Sequence, residues 1–425
     1  MIKIMDYAKC GDDIFIRENQ ASGVEDVVAD IIADVRKNGD EALYRYSKKF
    51  DGADLAALEV SESEIEAAFN SVDPALIEVI KEAKKNIWAF HENQKKSGFI
   101  MTGKGGAVMG QRVIPLDRVG LYVPGGTAAY PSSVLMNCVP ALIAGVEEIV
   151  MVTPPSKDGG VNPVILAAAK IAGVGRIFKV GGAQAVAALA YGTESVPMVD
   201  KIGGPGNRFV AEAKKQVFGK VAIDMIAGPS EILVIADGNS NPAFVAADLL
   251  SQAEHDKNAS AVLVTDSKEL AEKVSDELER QIPLLSREEI ARTSIDNNGK
   301  IILVSSISEA VDISNGLAPE HLEVCVDDPF AYLDRIRHAG SVFLGRYCPE
   351  AVGDYMAGPN HTLPTSGTAR FSSPLSVDDF VKKSQFTYFT RESLGEIYDK
   401  VAYFADSEGL GAHAESARIR FKDSK

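Results

Sequence analysis

This 425-residue chain has six histidines, and a few polar residues lie near them in sequence. These side chains are the candidates for binding a metal or transferring a proton. Gln252 and His255 stand three residues apart near the end of a predicted helix over 241–255, so both face one side of it. An amide oxygen and an imidazole nitrogen placed together can bind a divalent metal. On spacing alone, a purely structural role for both residues stays open.

Glu320 and His321 are adjacent in APEHLEV, immediately before a predicted strand over 321–326. Histidine titrates near neutrality, and burial can raise the pKa of a glutamic acid towards the same range. Such a pair can serve two separate proton transfers. A helix-to-strand turn with a solvated charge pair is the alternative interpretation.

Asp354 and His361 bracket GDYMAGPNH, a segment rich in glycine and proline that is typical of functional loops and also of ordinary surface loops. His413 lies in GLGAHAES near the C-terminus. Spacing alone does not join these groups to the other histidines. The residues therefore indicate a metal site with oxygen and nitrogen ligands and an acid–base pair, without showing that the two meet.

Three glycine turns each join a predicted strand to a helix: PGG at 124–126, VGG at 180–182 and GGPG at 203–206. Free backbone N–H groups and the helix dipole favour phosphate at such turns, and ligands of open α/β sheets bind at the carboxyl ends of strands. The usual dinucleotide fingerprint GxGxxG is absent. Tight packing of strand on helix explains each turn by itself, and three such turns within 120–231 also fit a phosphate-containing ligand without proving one.

The elements that must position these residues alternate along most of the chain. Residues 24–98 have a helical pattern, and further helices are predicted over 131–144, 162–172, 241–255 and 267–282. Short apolar strands are predicted over 119–123, 147–153, 176–180, 198–202, 231–236, 260–265, 300–305, 321–326 and 341–344. This alternation predicts an α/β protein with parallel sheets covered on both faces, in two domains. The last fifty residues suggest helices that stand apart from the sheets.

Composition narrows the function classes. A net charge of −16 and a pI near 5.0 disfavour nucleic acid and anionic membranes as partners. The N-terminus has no signal-peptide pattern, and no window reaches the roughly 18 apolar residues of a membrane span, so we expect a cytoplasmic protein. Four dispersed cysteines predict reduced thiols rather than disulfides: Cys10, Cys138, Cys325 and Cys348.

Several long segments resemble the histidinol dehydrogenases. They include IDMIAGPSEILVIAD at 223–237, SQAEHD at 251–256, APEHLE at 318–323, VGDYMAGPNHTLPTSGTARFSSPL at 352–375 and EGLGAHAESARIR at 408–420. The three glycine-turn segments also resemble this family, in the right order. The resemblance covers essentially the whole chain.

The resemblance implies an α/β fold of two incomplete Rossmann-like domains, one inserted in the other, with small N- and C-terminal helical pieces that form a domain-swapped homodimer. The boundaries expected on this basis are an N-terminal arm over 1–22, a split first α/β domain over 23–119 and 232–378, a second, NAD-binding domain over 120–231, and a dimerisation piece over 379–425.

The activity implied is the last step of histidine biosynthesis: L-histidinol is oxidised to L-histidine by two successive hydride transfers to two NAD+, through bound histidinaldehyde. His321 would be the general base and Glu320 would activate water. One Zn2+ per subunit would orient the substrate, held by Gln252, His255, Asp354 and, from the partner subunit, His413. These ligands and His321 would also contact substrate, as would Ser230, His361 and, again from the partner, Glu408. The implied NAD contacts are Tyr122, Gln184 and Asn207.

Two other functions are considered. The same zinc and NAD scaffold can act on another small hydroxylated compound, and His361 with Glu408 favours histidinol over that alternative. A non-enzymatic, zinc-stabilised dimer or ligand sensor would not need Glu320 and His321, and both are present.

Overall fold

The structure is a computed structural model that describes residues 1–15, 23–125 and 130–424. The chain divides into two compact units, Met1–Gln94 with Leu116–Phe380 and Lys95–Pro115 with Val381–Lys425. Gly126 of the first glycine turn and part of the predicted N-terminal arm lie outside the described residues.

The elements are numbered in chain order. The strands are β1 Lys3–Asp6, β2 Phe99–Thr102, β3 Val108–Pro115, β4 Arg118–Tyr122, β5 Glu148–Thr153, β6 Arg176–Lys179, β7 Lys201–Gly203, β8 Ala222–Ile223, β9 Glu231–Ala236, β10 Ser260–Thr265, β11 Lys300–Leu303, β12 His321–Cys325, β13 Ser341–Leu344 and β14 Val381–Tyr388. The helices are α1 Tyr7–Cys10, α2 Glu25–Tyr46, α3 Glu62–Ser71, α4 Pro74–His91, α5 Pro131–Ala144, α6 Pro163–Ala172, α7 Gly182–Tyr191, α8 Arg208–Val217, α9 Pro242–Ala253, α10 Lys268–Gln281, α11 Glu288–Asn298, α12 Ile307–Leu317, α13 Phe330–Leu333, α14 Glu350–Tyr355, α15 Arg391–Gly395, α16 Tyr398–Ser407 and α17 Gly411–Arg418.

Two parallel sheets form the first unit. The larger has six strands in the order β1-β11-β10-β9-β12-β13, and the smaller has five in the order β6-β5-β4-β7-β8. All strands of the smaller sheet come between β1 and β9 in the chain, so its segment is inserted in the segment of the larger sheet. The predicted α/β fold with parallel sheets is confirmed.

Both parallel sheets are covered on both faces. In β5, Val150 and Val152 belong to one apolar core, and Ile149 and Met151 belong to the core on the opposite face. Successive side chains of a strand point to opposite faces, which explains the uninterrupted apolar runs of these strands. The larger sheet is built in the same way, with its cores on the two faces formed around α9–α11 and around α12.

Helices α2–α4 show where sequence order misleads. They belong to the segment predicted with the first, split domain, but α2 and α4 pack on the two faces of the smaller sheet. An apolar helix stripe can cover either sheet, and sequence order does not say which one. The remaining domain boundaries stay a prediction.

The terminal pieces are not purely helical, contrary to expectation. Residues Lys3–Asp6 of the predicted arm form β1, which pairs in parallel with β11 at the edge of the larger sheet. In the second unit, β14 pairs with β3 and β3 with β2, giving an antiparallel three-stranded sheet that the sequence analysis missed. Most side chains of β2 and β14 are exposed and those of β3 are mostly half-buried, so this sheet lacks the buried faces of the two parallel sheets.

Two further expectations concern thiols and membranes. All four cysteines are free, as predicted. Among the described residues, no helix combines the length and apolar character that crossing a bilayer requires.

Candidate active site

A cleft of about 2470 Å³ in the first unit is lined by loops and strand ends of both parallel sheets. Ten of the residues predicted to form the site line this cleft: Tyr122, Gln184, Asn207, Ser230, Gln252, His255, Glu320, His321, Asp354 and His361. The convergence that spacing could not establish is therefore present in the fold for these ten residues.

The smaller sheet contributes the carboxyl ends of its strands. The hydroxyl of Tyr122, the last residue of β4, accepts a hydrogen bond from the backbone N–H of Gly182 at 3.1 Å. Gln184 follows β6 on α7 and is 1% exposed, and its Oε1 has no hydrogen-bond partner within the described part of the chain. Asn207 caps α8, where its Oδ1 accepts from the N–H groups of Phe209 and Val210. This side of the cleft offers an unpaired amide oxygen and helix N-termini.

The third glycine turn is held by internal contacts. A Cβ on Gly204 would lie 2.1 Å from the carbonyl oxygen of Tyr122, and its φ of +108° is a conformation that other residues rarely adopt. Its N–H donates to Asp224 Oδ2 at 2.7 Å, and Asp224 forms a buried ion pair with Lys214. At Gly204, tight packing is therefore the better explanation, because this N–H is already used.

Asp51 also lines the cleft and was not identified from the sequence. Burial raises the pKa of its carboxyl group to about 6, and no described residue bonds to its buried Oδ2. The negative charge of Asp51 also contributes to the raised pKa of Tyr122, which burial brings to about 12. An acid on the smaller-sheet side of the cleft is thus kept without a compensating charge.

The larger sheet contributes the amino ends of its strands, and the backbone of one residue positions the acid–base pair. Glu320 Oε2 accepts from the N–H of Glu231 at 2.9 Å, and His321 Nδ1 lies 3.0 Å from the carbonyl oxygen of the same residue. A carbonyl oxygen only accepts, so Nδ1 must carry the proton and Nε2 the lone pair. His321 Nε2 is buried, with no partner among the residues the structure describes.

Burial changes the acidity of this pair. Glu320 is 8% exposed, and burial raises the pKa of its carboxyl group well above the usual value, although the N–H of Glu231 acts in the opposite direction. Its Oε2 lies 3.7 Å from Nδ1 of His321. Glu320 can therefore exchange a proton at a higher pH than an exposed glutamic acid does.

Gln252 and His255 lie at the carboxyl end of α9, which brings them to the same edge of the larger sheet. Gln252 is 1% exposed, and neither of its amide atoms has a hydrogen-bond partner in the described ranges. Burial lowers the pKa of His255, which keeps the ring neutral, the form that binds metals. An orphaned buried amide next to a neutral imidazole fits a metal ion.

Asp354 joins this group from α14, together with an acid that the sequence analysis missed. One ligand atom each of His321, Glu350 and Asp354 lies within 4.8 Å of the other two. Burial, followed by the charge of Glu350, raises the pKa of Asp354 to about 7. The i, i+4 spacing of Glu350 and Asp354 was a signal for two acids on one helix face. A buried and a half-buried carboxylate this close favour a cation between or beside them.

Two more acids lie near Glu350, one of them fully buried and the other half-buried. Glu323 is fully buried, and its Oε1 accepts from the N–H of Glu350 at 2.8 Å. Burial raises the pKa of Glu323 well above its usual value and that of Asp248, which hydrogen-bonds to Glu323, to about 6. The larger-sheet side of the cleft is thus rich in buried carboxyl groups.

His361 and Ser230 complete the part of the predicted site that lies in the first unit. His361 Nδ1 is 3.6 Å from Asp354 Oδ1, and its Nε2 is 3.4 Å from the hydroxyl of Ser133. Burial lowers the pKa of His361 to about 4, so the ring is neutral near pH 7. Ser230 immediately precedes β9, and its carbonyl accepts from the N–H of Ser260 at 2.9 Å.

Glu408 and His413 belong to the second unit. Glu408 is the C-cap of α16, and His413 lies on α17; both are exposed in the single chain. Their predicted roles at a site shared between subunits stay predictions.

Comparison with known proteins gives full-length similarities. Residues 16–421 match the family model described as histidinol dehydrogenase. A histidinol dehydrogenase of Clostridium acetobutylicum is 57% identical over 424 residues, which is 99% of this chain and 98% of that protein. One from Bacillus cereus is 56% identical over 414 residues, 96% of each chain. The crystal structure of histidinol dehydrogenase from Elizabethkingia anophelis superimposes with a TM-score of 0.94 at 39% identity, covering 99% of this chain and 98% of that one.

Proposed function

Because the chain belongs to the histidinol dehydrogenase family, we propose that it oxidises L-histidinol to L-histidine through bound histidinaldehyde, with two successive hydride transfers to two NAD+. This would be the last step of histidine biosynthesis, in the cytoplasm. The observation that carries the proposal is the pair Glu320 and His321, both held by the backbone of Glu231 in the cleft that Tyr122 and Gln184 also line.

His321 acts as the general base. Its Nδ1–H is directed to the carbonyl of Glu231, which leaves the lone pair on Nε2 to accept the alcohol proton while hydride leaves the carbinol carbon. The hydrogen bond also fixes the ring plane, so the base needs no rearrangement before proton transfer. As water adds to the aldehyde, protonated His321 returns its proton to the aldehyde oxygen, which completes the hydrate and restores the free base. In the second oxidation His321 then takes the proton of the hydrated aldehyde while the second hydride leaves.

Glu320 activates the water that hydrates the aldehyde. Only the ionised carboxylate can accept a proton from water, and burial raises the pKa at which Glu320 ionises. A base with a pKa raised towards neutrality is a better proton acceptor than an ordinary glutamate. The bound aldehyde stays in the cleft between the two oxidations, which limits loss of a reactive intermediate.

The metal ligands proposed are Gln252, His255 and Asp354, with His413 of the partner subunit. The orphaned amide of Gln252, the neutral ring of His255 and the carboxylate of Asp354 form a donor set of nitrogen and oxygen that suits zinc. When bound, one zinc per subunit would hold and orient the substrate through its imidazole and amino nitrogens. Ser230 and His361, with Glu408 of the partner subunit, would contact the substrate around it.

The dinucleotide would bind at the smaller-sheet side. Tyr122, Gln184 and Asn207 lie at or beside the carboxyl ends of β4, β6 and β7, where ligands of open α/β sheets bind. The unpaired Oε1 of Gln184 and the start of α7 supply polar contacts to NAD+. The active assembly would be a domain-swapped homodimer with two shared sites.

The test is the stoichiometry of NADH formation with purified protein and limiting L-histidinol. We expect two NADH per histidinol consumed, and loss of activity after chelation that added Zn2+ restores. An amino alcohol without an imidazole ring serves as the control substrate. Turnover of the control with histidinol left unused would support another small hydroxylated substrate, and no turnover of either would exclude the proposed activity.

A further inference from the structure

Glu350 is a buried acid close to the proposed metal ligands. The proposed function gives this residue no role. It begins α14, one helical turn before Asp354, so the two side chains share a helix face. A carboxylate oxygen of Glu350 lies within 4.8 Å of a ligand atom of Asp354 and of a ring nitrogen of His321. Glu350 itself is not among the residues that line the cleft. It therefore stands behind the wall that these two residues form.

The structure holds Glu350 firmly but leaves its carboxylate unsatisfied. Its side chain is 2% exposed, and its Oε2 has no hydrogen-bond partner in the part of the chain that the structure describes. Its backbone N–H donates to Glu323 Oε1 at 2.8 Å, which fixes the start of the helix. A buried carboxylate with an unpaired oxygen is unfavourable, so a positive charge nearby would stabilise this arrangement.

The proposed ligand set leaves such a charge. Gln252 and the two imidazoles of the set are neutral ligands, so Asp354 is the only anion among the four. A divalent cation bound by these groups would keep one uncompensated positive charge in a buried site. Glu350 supplies one negative charge beside it.

We propose that Glu350 is a positioning residue of the metal centre, whose carboxylate balances the second charge of a bound divalent cation from behind Asp354. The inference rests on the proposed function. Outer carboxylates of this kind commonly change metal affinity by about 10- to 100-fold when they are removed. In the metal-free protein the same carboxylate lowers the stability, because it lies next to Asp354 with no cation to offset the charges.

The experiment measures Zn2+ affinity and metal-free stability separately. Wild type and Glu350→Gln are stripped with chelator and titrated with Zn2+ against a chromophoric chelator, and the stripped proteins are unfolded with urea. We expect Glu350→Gln to bind Zn2+ about 10- to 100-fold more weakly. We expect its stripped form to be at least as stable as the stripped wild type, and Glu350→Asp to recover part of the affinity.

Two further variants make the outcome specific. Asp51→Asn makes the same change from carboxylate to amide on the smaller-sheet side of the cleft, and we expect it to leave Zn2+ affinity unchanged. His255→Asn removes a proposed ligand and should weaken Zn2+ binding strongly. If Glu350→Gln binds Zn2+ as wild type does while His255→Asn does not, the inference is wrong and the proposed metal site stands. A loss of affinity with a matching loss of metal-free stability, unrelieved in Glu350→Asp, would also overturn it. Equal Zn2+ binding by wild type and His255→Asn would instead reject the metal site itself.

Discussion

The two parallel sheets present opposite ends of their strands to one cleft. The smaller sheet contributes carboxyl ends, with Tyr122 closing β4 and Gln184 following β6, where ligand sites of open α/β sheets are expected. The larger sheet contributes amino ends, because Glu320 immediately precedes β12 and Ser230 precedes β9. The rule that ligands bind at the carboxyl ends of parallel strands therefore predicts the half of the cleft formed by the smaller sheet. It makes no prediction for the half formed by the larger sheet.

The two sides also differ in charge. The smaller-sheet side combines tyrosine, amides and glycine turns with one uncompensated acid, Asp51. On the larger-sheet side, several buried or half-buried acids lie near three histidines: Asp248, Glu320, Glu323, Glu350 and Asp354. This difference supports the proposal that one side binds the cofactor through neutral polar groups, whereas the other binds a cation and transfers protons.

The largest expected difference between the two sides is in turnover. We expect His321→Asn to lower kcat by about 10²- to 10⁴-fold, as for loss of a general base, with the zinc content near that of wild type. Gln184→Ala on the other side should instead raise the KM for NAD+ with kcat little changed. Steady-state kinetics and metal analysis of both variants measure this. Near-normal turnover in His321→Asn would show that His321 is not the general base.

A complementation experiment tests whether His413 of one subunit completes the active site that contains His321 of the other subunit. His413→Asn and His321→Asn chains should each be nearly inactive. After random subunit exchange, half of the dimers would carry one intact site, so activity should return to about a quarter of wild type. No recovery after verified exchange would speak against His413 acting across the dimer. The two parent variants, each put through the exchange procedure alone, are the controls.

The pH dependence of the second oxidation tests the assignment of Glu320. Its pKa is raised in the folded protein, so the carboxylate needed to activate water is lost at a higher pH than for an exposed glutamic acid. With histidinaldehyde as substrate, the rate should fall about tenfold per pH unit below that pKa. Glu320→Gln should be slow at every pH and lack this descending limb. If the rate of Glu320→Gln falls at low pH as that of wild type does, a group other than Glu320 causes the fall.

The smallest expected effect is on stability, at the smaller-sheet side. The pKa of Asp51 is about 6 in the folded protein and near 3.8 when unperturbed, so the unfolded state loses its proton first as pH rises. Asp51 therefore leaves the free energy of unfolding unchanged below pH 4 and lowers it above pH 6. Allowing for solvent screening, we expect Asp51→Asn to add about 1 kcal/mol to the free energy of unfolding at pH 7 and nothing at pH 4. Urea unfolding at the two pH values checks this, and an equal gain at both would contradict it.

Much of the fold was predictable because its signals are local. The strands Glu231–Ala236 and Ser341–Leu344 and the helix Pro131–Ala144 have the bounds that their apolar runs predict. The antiparallel sheet of β2, β3 and β14 was missed because its strands come from distant segments and two of them, β2 and β14, are largely exposed. Helices α2–α4 were recognised as a helical region, but their apolar faces did not show which sheet they cover.

The sequence by itself determined the residue types, the alternation that makes parallel sheets, and the motifs by which the family is recognised. Only the tertiary structure decided the state of the groups that act. The proton of His321 sits on Nδ1 because a neighbouring strand places the Glu231 carbonyl there, and the role proposed for Glu350 follows from its position next to His321 and Asp354. Protonation, tautomer and burial depend on what surrounds an atom in space, and residues distant in the chain supply those surroundings.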